Sequence, residues 1–128
     1  MNRGIRWNLP RVFELARGQY FRWAAHDDLV APTMLEACLD VLEEDPSVAL
    51  CMPKTLVIDG DSRIVRFPEG QFTSGCVGED NERERLRLLA SDDPAERFRG
   101  VLLMSLRCHE IFGLMRREQM ARTGLYRG

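Results

Sequence analysis

No two cysteines in this chain stand in a CxxC pair. Its four cysteines, Cys38, Cys51, Cys76 and Cys108, are scattered, which argues against a zinc ribbon. Cys38 and Cys51 lie in apolar surroundings and read as small hydrophobic core residues in a reducing cytoplasm. No apolar run is long enough to span a bilayer. The opening "MNRGIRWNLP" has no signal-peptide apolar core. Charge of one sign is also lacking. The chain carries 18 basic and 20 acidic residues and a net charge of −2, so no strong field draws it to nucleic acid or to an anionic membrane. There is no internal repeat and no low-complexity tract. What is present is 128 residues, 45% of them hydrophobic, enough for about one domain with a real core.

Apolar spacing sets the expected elements. Leu9, Val12, Phe13 and Ala16 repeat at helical intervals, with Arg11, Glu14 and Arg17 facing the other way. Asn8 reads as the N-cap, Pro10 as a first-turn residue and Gly18 as the stop. "QYFRWAA" reads as a short strand. A second helix follows in "DDLVAPTMLEACLDVLEEDP", with Leu35, Cys38, Leu39 and Leu42 as its apolar stripe, Pro32 near its start and Asp45-Pro46 at its end. "SVALCMP" is the next strand. Helix, strand, helix, strand with short connections predicts a parallel sheet with crossover helices. "TLVIDGDSRIVRF" predicts a hairpin turning at Asp59-Gly60-Asp61. The glycine-rich middle reads as a loop with a short helix, and "EDNERERLR" as a solvated helix face. Asp93-Pro94-Ala95-Glu96 is a capping box opening a helix with Phe98, Val101, Leu102 and Ser105 on one face. "IFGLM" reads as a last strand and "RREQMARTG" as a short helix stopped by Gly124.

Asp27 and Asp28 stand where the first strand ends. Ligands of open α/β sheets bind beyond the carboxyl ends of strands. Mg²⁺ or Mn²⁺ favours oxygen ligands, and Mg²⁺ takes one or two carboxylates and completes its shell with water and phosphates. An acidic pair there fits a metal-bound diphosphate. Successive strand side chains point to opposite faces. For both carboxylates to serve one site the backbone must bend, or Asp28 holds the metal while Asp27 contacts another group. The alternative is that the pair solvates a turn and favours the N-terminus of the next helix.

The stretch from Asn2 to Leu50 resembles family 2 glycosyltransferases of the GT-A fold. The ordered set carrying the resemblance is Asn2, Gly4, Asn8, Ala16, Gly18, Tyr20, Asp27, Asp28, Pro32 and Pro46. "IFGLMRREQMARTGLY" looks like the acceptor-side segment of that family. The implied fold is α/β, a partial GT-A parallel-sheet sandwich with a hairpin and C-terminal helices. Residues 1–58 would form the donor and metal side, 59–93 the hairpin and polar loop, and 94–128 the acceptor side. The implied activity is transfer of a sugar from a nucleotide-sugar donor to a saccharide or lipid-linked acceptor hydroxyl, with inversion. Mg²⁺ or Mn²⁺ on Asp28 and Asp27 would bind the donor diphosphate, and a carboxylate base would deprotonate the acceptor. Asn8 either shapes the donor site or caps its helix. His26 is a metal ligand or a polar strand-end residue. His109, Glu110 and Arg116 are acceptor-side candidates, with surface roles as the alternative, and Arg117 pairs with Arg116 for a phosphate or acidic acceptor. The implied location is the cytoplasm, including the inner face of the membrane.

Two family elements have no counterpart in the sequence. The nucleotide-binding strand, helix and strand would precede Asn2, and the acidic motif with the catalytic base would follow Tyr126. The expectation is therefore a chain that is inactive by itself and self-associates through an exposed sheet edge. The competing reading is a non-catalytic binding or interaction module derived from such an enzyme. A metal-dependent phosphotransfer domain is a third reading, and it lacks a phosphate-cradling glycine loop.

Overall fold

The computed structural model describes residues 3–53, 55–65, 79–104 and 109–124, with backbone alone at 79–82, 85, 103–104 and 109–110. Two compact units emerge: Met1–Pro53 with Ile111–Gly128, and Lys54–Glu110.

The first unit opens with α1, Ile5–Leu15. Gly4 precedes it at φ +79°, a backbone conformation that side-chain-bearing residues rarely adopt. The helix begins earlier than its sequence signals suggest. The Asn8 N–H already donates to the Gly4 carbonyl at 3.1 Å, so Asn8 is a helical residue and no cap, and Pro10 lies inside the helix. Pro10 removes one intrahelical donor. Packing outweighs that loss: Phe13 is buried, and Leu9 and Ala16 pack beside it, whereas Val12 stays exposed. Phe13 meets Phe21 edge to face at 5.0 Å, and Phe21 meets Trp23 the same way at 4.8 Å, an arrangement that aligns ring edges with ring faces. The Trp23 indole N–H donates to the Leu9 carbonyl at 3.4 Å and ties the helix to the strand segment.

That strand is β1, Tyr20–Phe21. Next comes α2, Met34–Glu44, with Thr33 and Asp45 at its ends, as Pro32 and Asp45-Pro46 forecast. Of the expected stripe Cys38 and Leu42 are buried, Met34 joins them, and Leu35 and Leu39 are exposed. β2, Leu50–Cys51, and β3, Leu114–Arg116, complete the sheet, and α5, Arg117–Ala121, follows directly.

The mixture of helix and sheet matches the expectation, but the described sheet is not a parallel one. Its order is β1-β3-β2, and β3 is antiparallel to both neighbours. β1 and β2 therefore run in the same direction, joined through α2, but a strand from far along the chain separates them. Crossover logic ranks neighbours by sequence and cannot see that insertion. Gly113 admits it, since a Cβ there would stand 2.7 Å from the Cys51 carbonyl oxygen.

Arg116 fastens the arrangement. The last turn of α2 holds no basic residue, and its end carbonyls need donors from elsewhere. The Arg116 guanidinium donates to the carbonyls of Val48 at 2.9 Å and Asp45 at 3.3 Å, and to that of Leu42. It also donates to the Tyr20 hydroxyl at 3.3 Å, which in turn donates to the Glu43 carboxylate at 2.6 Å.

In the second unit, Val65 N–H donates to the Val57 carbonyl at 2.9 Å, and Ile58 bridges Ile64 in antiparallel sense. The Asp59 carboxylate accepts from the N–H groups of Asp61 and Arg63, both at 2.9 Å, and closes the expected turn. α3, Glu79–Leu89, and α4, Pro94–Met104, pack against each other. The Asp93 carboxylate caps α4 by accepting from the Ala95 N–H at 2.8 Å. Glu96 pairs with Arg87 at 3.8 Å, so the cap is one-sided. The expected face of α4 is not buried: Phe98, Val101 and Leu102 are exposed, and Ser105 lies outside the described residues. Gly100 makes the close contact instead, with space for a Cβ only 3.0 Å from the Leu88 Cβ.

Two outcomes follow for α2. Arg116→Ala leaves the end carbonyls of the helix without their charged donor and should lower unfolding stability by about 1.5–3 kcal/mol in urea titration. Arg116→Lys should recover only part of it, because an ammonium cannot fork across several acceptors. The Asp45 carboxyl is held below its ordinary value of 3.8, first by the Ser47 side chain and then by the Ser47 N–H at 2.8 Å. A depressed folded-state value means the stabilisation is complete above 3.8 and disappears as pH falls through the lower folded value. Asp45→Asn should flatten that acid limb of the stability curve.

Candidate functional site

The acidic pair lies beyond β1, separated from Phe21 by residues 22–25 and the bend that starts at His26. Phe21 and Trp23 alternate inward with Arg22 between them, and the Arg22 Nε–H donates to the Phe112 carbonyl at 3.3 Å. This pattern holds the segment in place up to Ala25. From His26 to Thr33 every residue is exposed, and burial resumes only at Met34 on α2. The backbone bends at His26 and Asp27. The side chain of His26 is 98% exposed and that of Asp27 73%, and their Nδ1 and Oδ1 atoms are 3.7 Å apart. Such an exposed pair adds little stability. No side chain among the described residues hydrogen-bonds to Asp28 or pairs with it, so water is left to solvate that carboxylate.

Asn8 is exposed on α1. It adjoins Leu9, whose carbonyl receives the Trp23 indole N–H, and Trp23 is four positions before Asp27. That bond anchors the first half of α1 to the segment that leads into the acidic bend. Arg116, an acceptor-side candidate in the sequence, directs its donors at the carbonyls of Leu42, Asp45 and Val48 and at the Tyr20 hydroxyl. Arg117 lies over the Phe13 ring at 5.4 Å, with its Nε buried and without a partner. His109 and Glu110 begin a 3₁₀ turn, His109–Phe112, and their side chains lie outside the described residues.

Among the described residues no three His, Cys, Asp or Glu side chains gather into a metal-holding group. A closed, protein-only metal cage is thus not formed there. Two exposed carboxylates on a bend do suit a hard cation that keeps several waters and takes phosphate oxygens as its remaining ligands. Also among the described residues, no helix is long and apolar enough to cross a membrane.

Comparison with family models, curated proteins and solved structures gives no match.

Among the described residues the acidic pair makes only the exposed His26–Asp27 approach. Asp27→Ala and Asp28→Ala, singly or together, should therefore shift the urea midpoint by no more than the equivalent of about 0.5 kcal/mol. Relief of like-charge repulsion would make any shift favourable. A loss on the scale of a core substitution would show that the pair is a framework element.

Proposed function

We propose that this chain is part of a glycosyltransferase of the GT-A type that moves a sugar from a nucleotide-sugar donor to an acceptor hydroxyl with inversion. The observation that carries this reading is the exposed Asp27-Asp28 segment in the connection between β1 and α2, the helix that leads on to a strand of the same direction. The ordered residues resembling family 2 glycosyltransferases support it.

In this reading Asp28, with Asp27, holds Mg²⁺ or Mn²⁺. When bound, the cation neutralises charge developing on the diphosphate leaving group. The carboxylates supply the anchor, and their exposure leaves room for both diphosphate and water. Asn8, on the helix tied to the same strand segment, lies on the donor side. The acceptor is a saccharide or lipid-linked hydroxyl compound.

Free Mn²⁺ measured by electron paramagnetic resonance tests the reading. With a nucleoside diphosphate present, the chain should take up Mn²⁺, and Asp28→Asn should weaken uptake by at least about tenfold with an unchanged fold by circular dichroism. Equal uptake by the variant would overturn the assignment. Uptake lost with Asp28→Asn, but with no sugar transfer by any protein containing this chain, would leave a binding module in place of an enzyme.

A further inference from the structure

The two long helices of the first unit cover opposite faces of its sheet. Successive strand residues point to opposite faces, and the packing alternates accordingly along β1 and β3. Phe21 and Met115 pack with Phe13 of α1, whereas Tyr20 and Leu114 pack with Met34, Cys38 and Leu42 of α2. Each helix therefore has an outer side turned away from the sheet and from the other helix.

Both outer sides carry an apolar stripe beside charge of one sign. On α1, Ile5, Val12 and Leu15 recur at helical spacing and are 71%, 42% and 60% exposed. Arg3, Arg6, Arg11 and Arg17 lie in or beside this helix, with Glu14 as its one carboxylate. Arg11 meets Glu14 at 3.2 Å with both side chains exposed, a pairing that holds it weakly. On α2, Leu35 and Leu39 are exposed next to the exposed carboxylates of Glu36, Asp40 and Glu44, and no basic residue occurs from Met34 to Asp45. The chain's net charge of −2 thus conceals a cationic side and an anionic one. Exposed apolar stripes mark association surfaces, and arginines beside one stripe complement carboxylates beside the other.

We infer that the outer side of α1 in one copy of this chain docks on the outer side of α2 in a second copy. Ile5, Val12 and Leu15 cover Leu35 and Leu39, with Arg11 set against Asp40 and its neighbours. The two surfaces differ and lie on opposite faces of the sheet, so the contact is head-to-tail. A dimer formed this way keeps one free α1 side and one free α2 side, and assembly continues beyond it. An anionic bilayer would match α1 and leave the stripe of α2 in water, whereas a second copy matches both. The inference stands independently of any sugar-transfer activity.

The test is sedimentation velocity of the full chain, kept reduced, at rising concentration. Species heavier than a dimer should appear and should recede as added salt screens the opposed charges. Two variants change exposed positions only: Arg11→Glu with Leu15→Ser on α1, and Leu35→Ser with Asp40→Arg on α2. Each alone should be monomeric, with an unchanged circular dichroism spectrum. Mixed in equal amounts they should form a dimer and stop there, because one variant retains a working α2 side and the other a working α1 side. A parent chain that stays monomeric, or that halts at a dimer, would overturn the proposal. So would heavy species persisting in either variant alone, as pairing through sheet edges would give. A monomeric chain that binds phosphatidylglycerol vesicles through α1 would also overturn it, in favour of a lipid surface.

Discussion

One guanidinium sets the geometry of the first unit. The C-terminal turn of α2 ends without a cation of its own, at an Asp-Pro step that cannot continue the helix. Arg116 arrives from 68 to 74 positions further along the chain and donates to Val48, Asp45 and Leu42. Because Arg116 is the last residue of β3, the same side chain fixes that strand between β1 and β2. Through the Tyr20 hydroxyl it reaches Glu43, so both outer strands and the crossover helix are referred to a single charged group. A half-buried cation surrounded by carbonyls resists displacement, since leaving it or its acceptors unpaired is costly.

The acidic bend depends on that frame without contributing to it. β1 is held on one side by β3 and on the other by the aromatic stack of Phe13, Phe21 and Trp23. Beyond Ala25 the chain leaves this packing and is exposed until Met34 re-enters the second cluster. Two packed clusters thus bracket eight exposed residues, with Asp27 and Asp28 near the first. Solvated carboxylates leave coordination positions open, which suits a cation that takes phosphate oxygens and water as its remaining ligands.

Local chemistry was legible in the sequence. The end of α2 at Asp45, the Asp59 turn, the Asp93 cap and the buried Phe13 each follow from residues close together in the chain. Longer-range features were hidden. The start of α1 was misjudged because Asn8 and Pro10 carry strong start signals that packing overrides. The stripe of α2 is legible at Cys38 and Leu42 and not at Met34 or Leu35, which are equally apolar, so that only the partner surface selects between them. The direction of β3 and the duty of Arg116 were invisible, since both arise from a pairing between distant segments. An uncapped helix end with no nearby cation was the available signal for Arg116. The acidic pair follows β1 at a distance, since the strand ends at Phe21 where the sequence suggests that it runs on to Ala25, and its chemistry rests on resemblance.

The central claim is that the bend after β1 is the cation and diphosphate site. Paramagnetic broadening of backbone amide signals by substoichiometric Mn²⁺, with a nucleoside diphosphate present, tests it most directly. The account predicts broadening centred on residues 26–29 and fading along α2 and β1. Broadening centred on the acidic residues of α3 or α4, or spread evenly over all carboxylates, would contradict it.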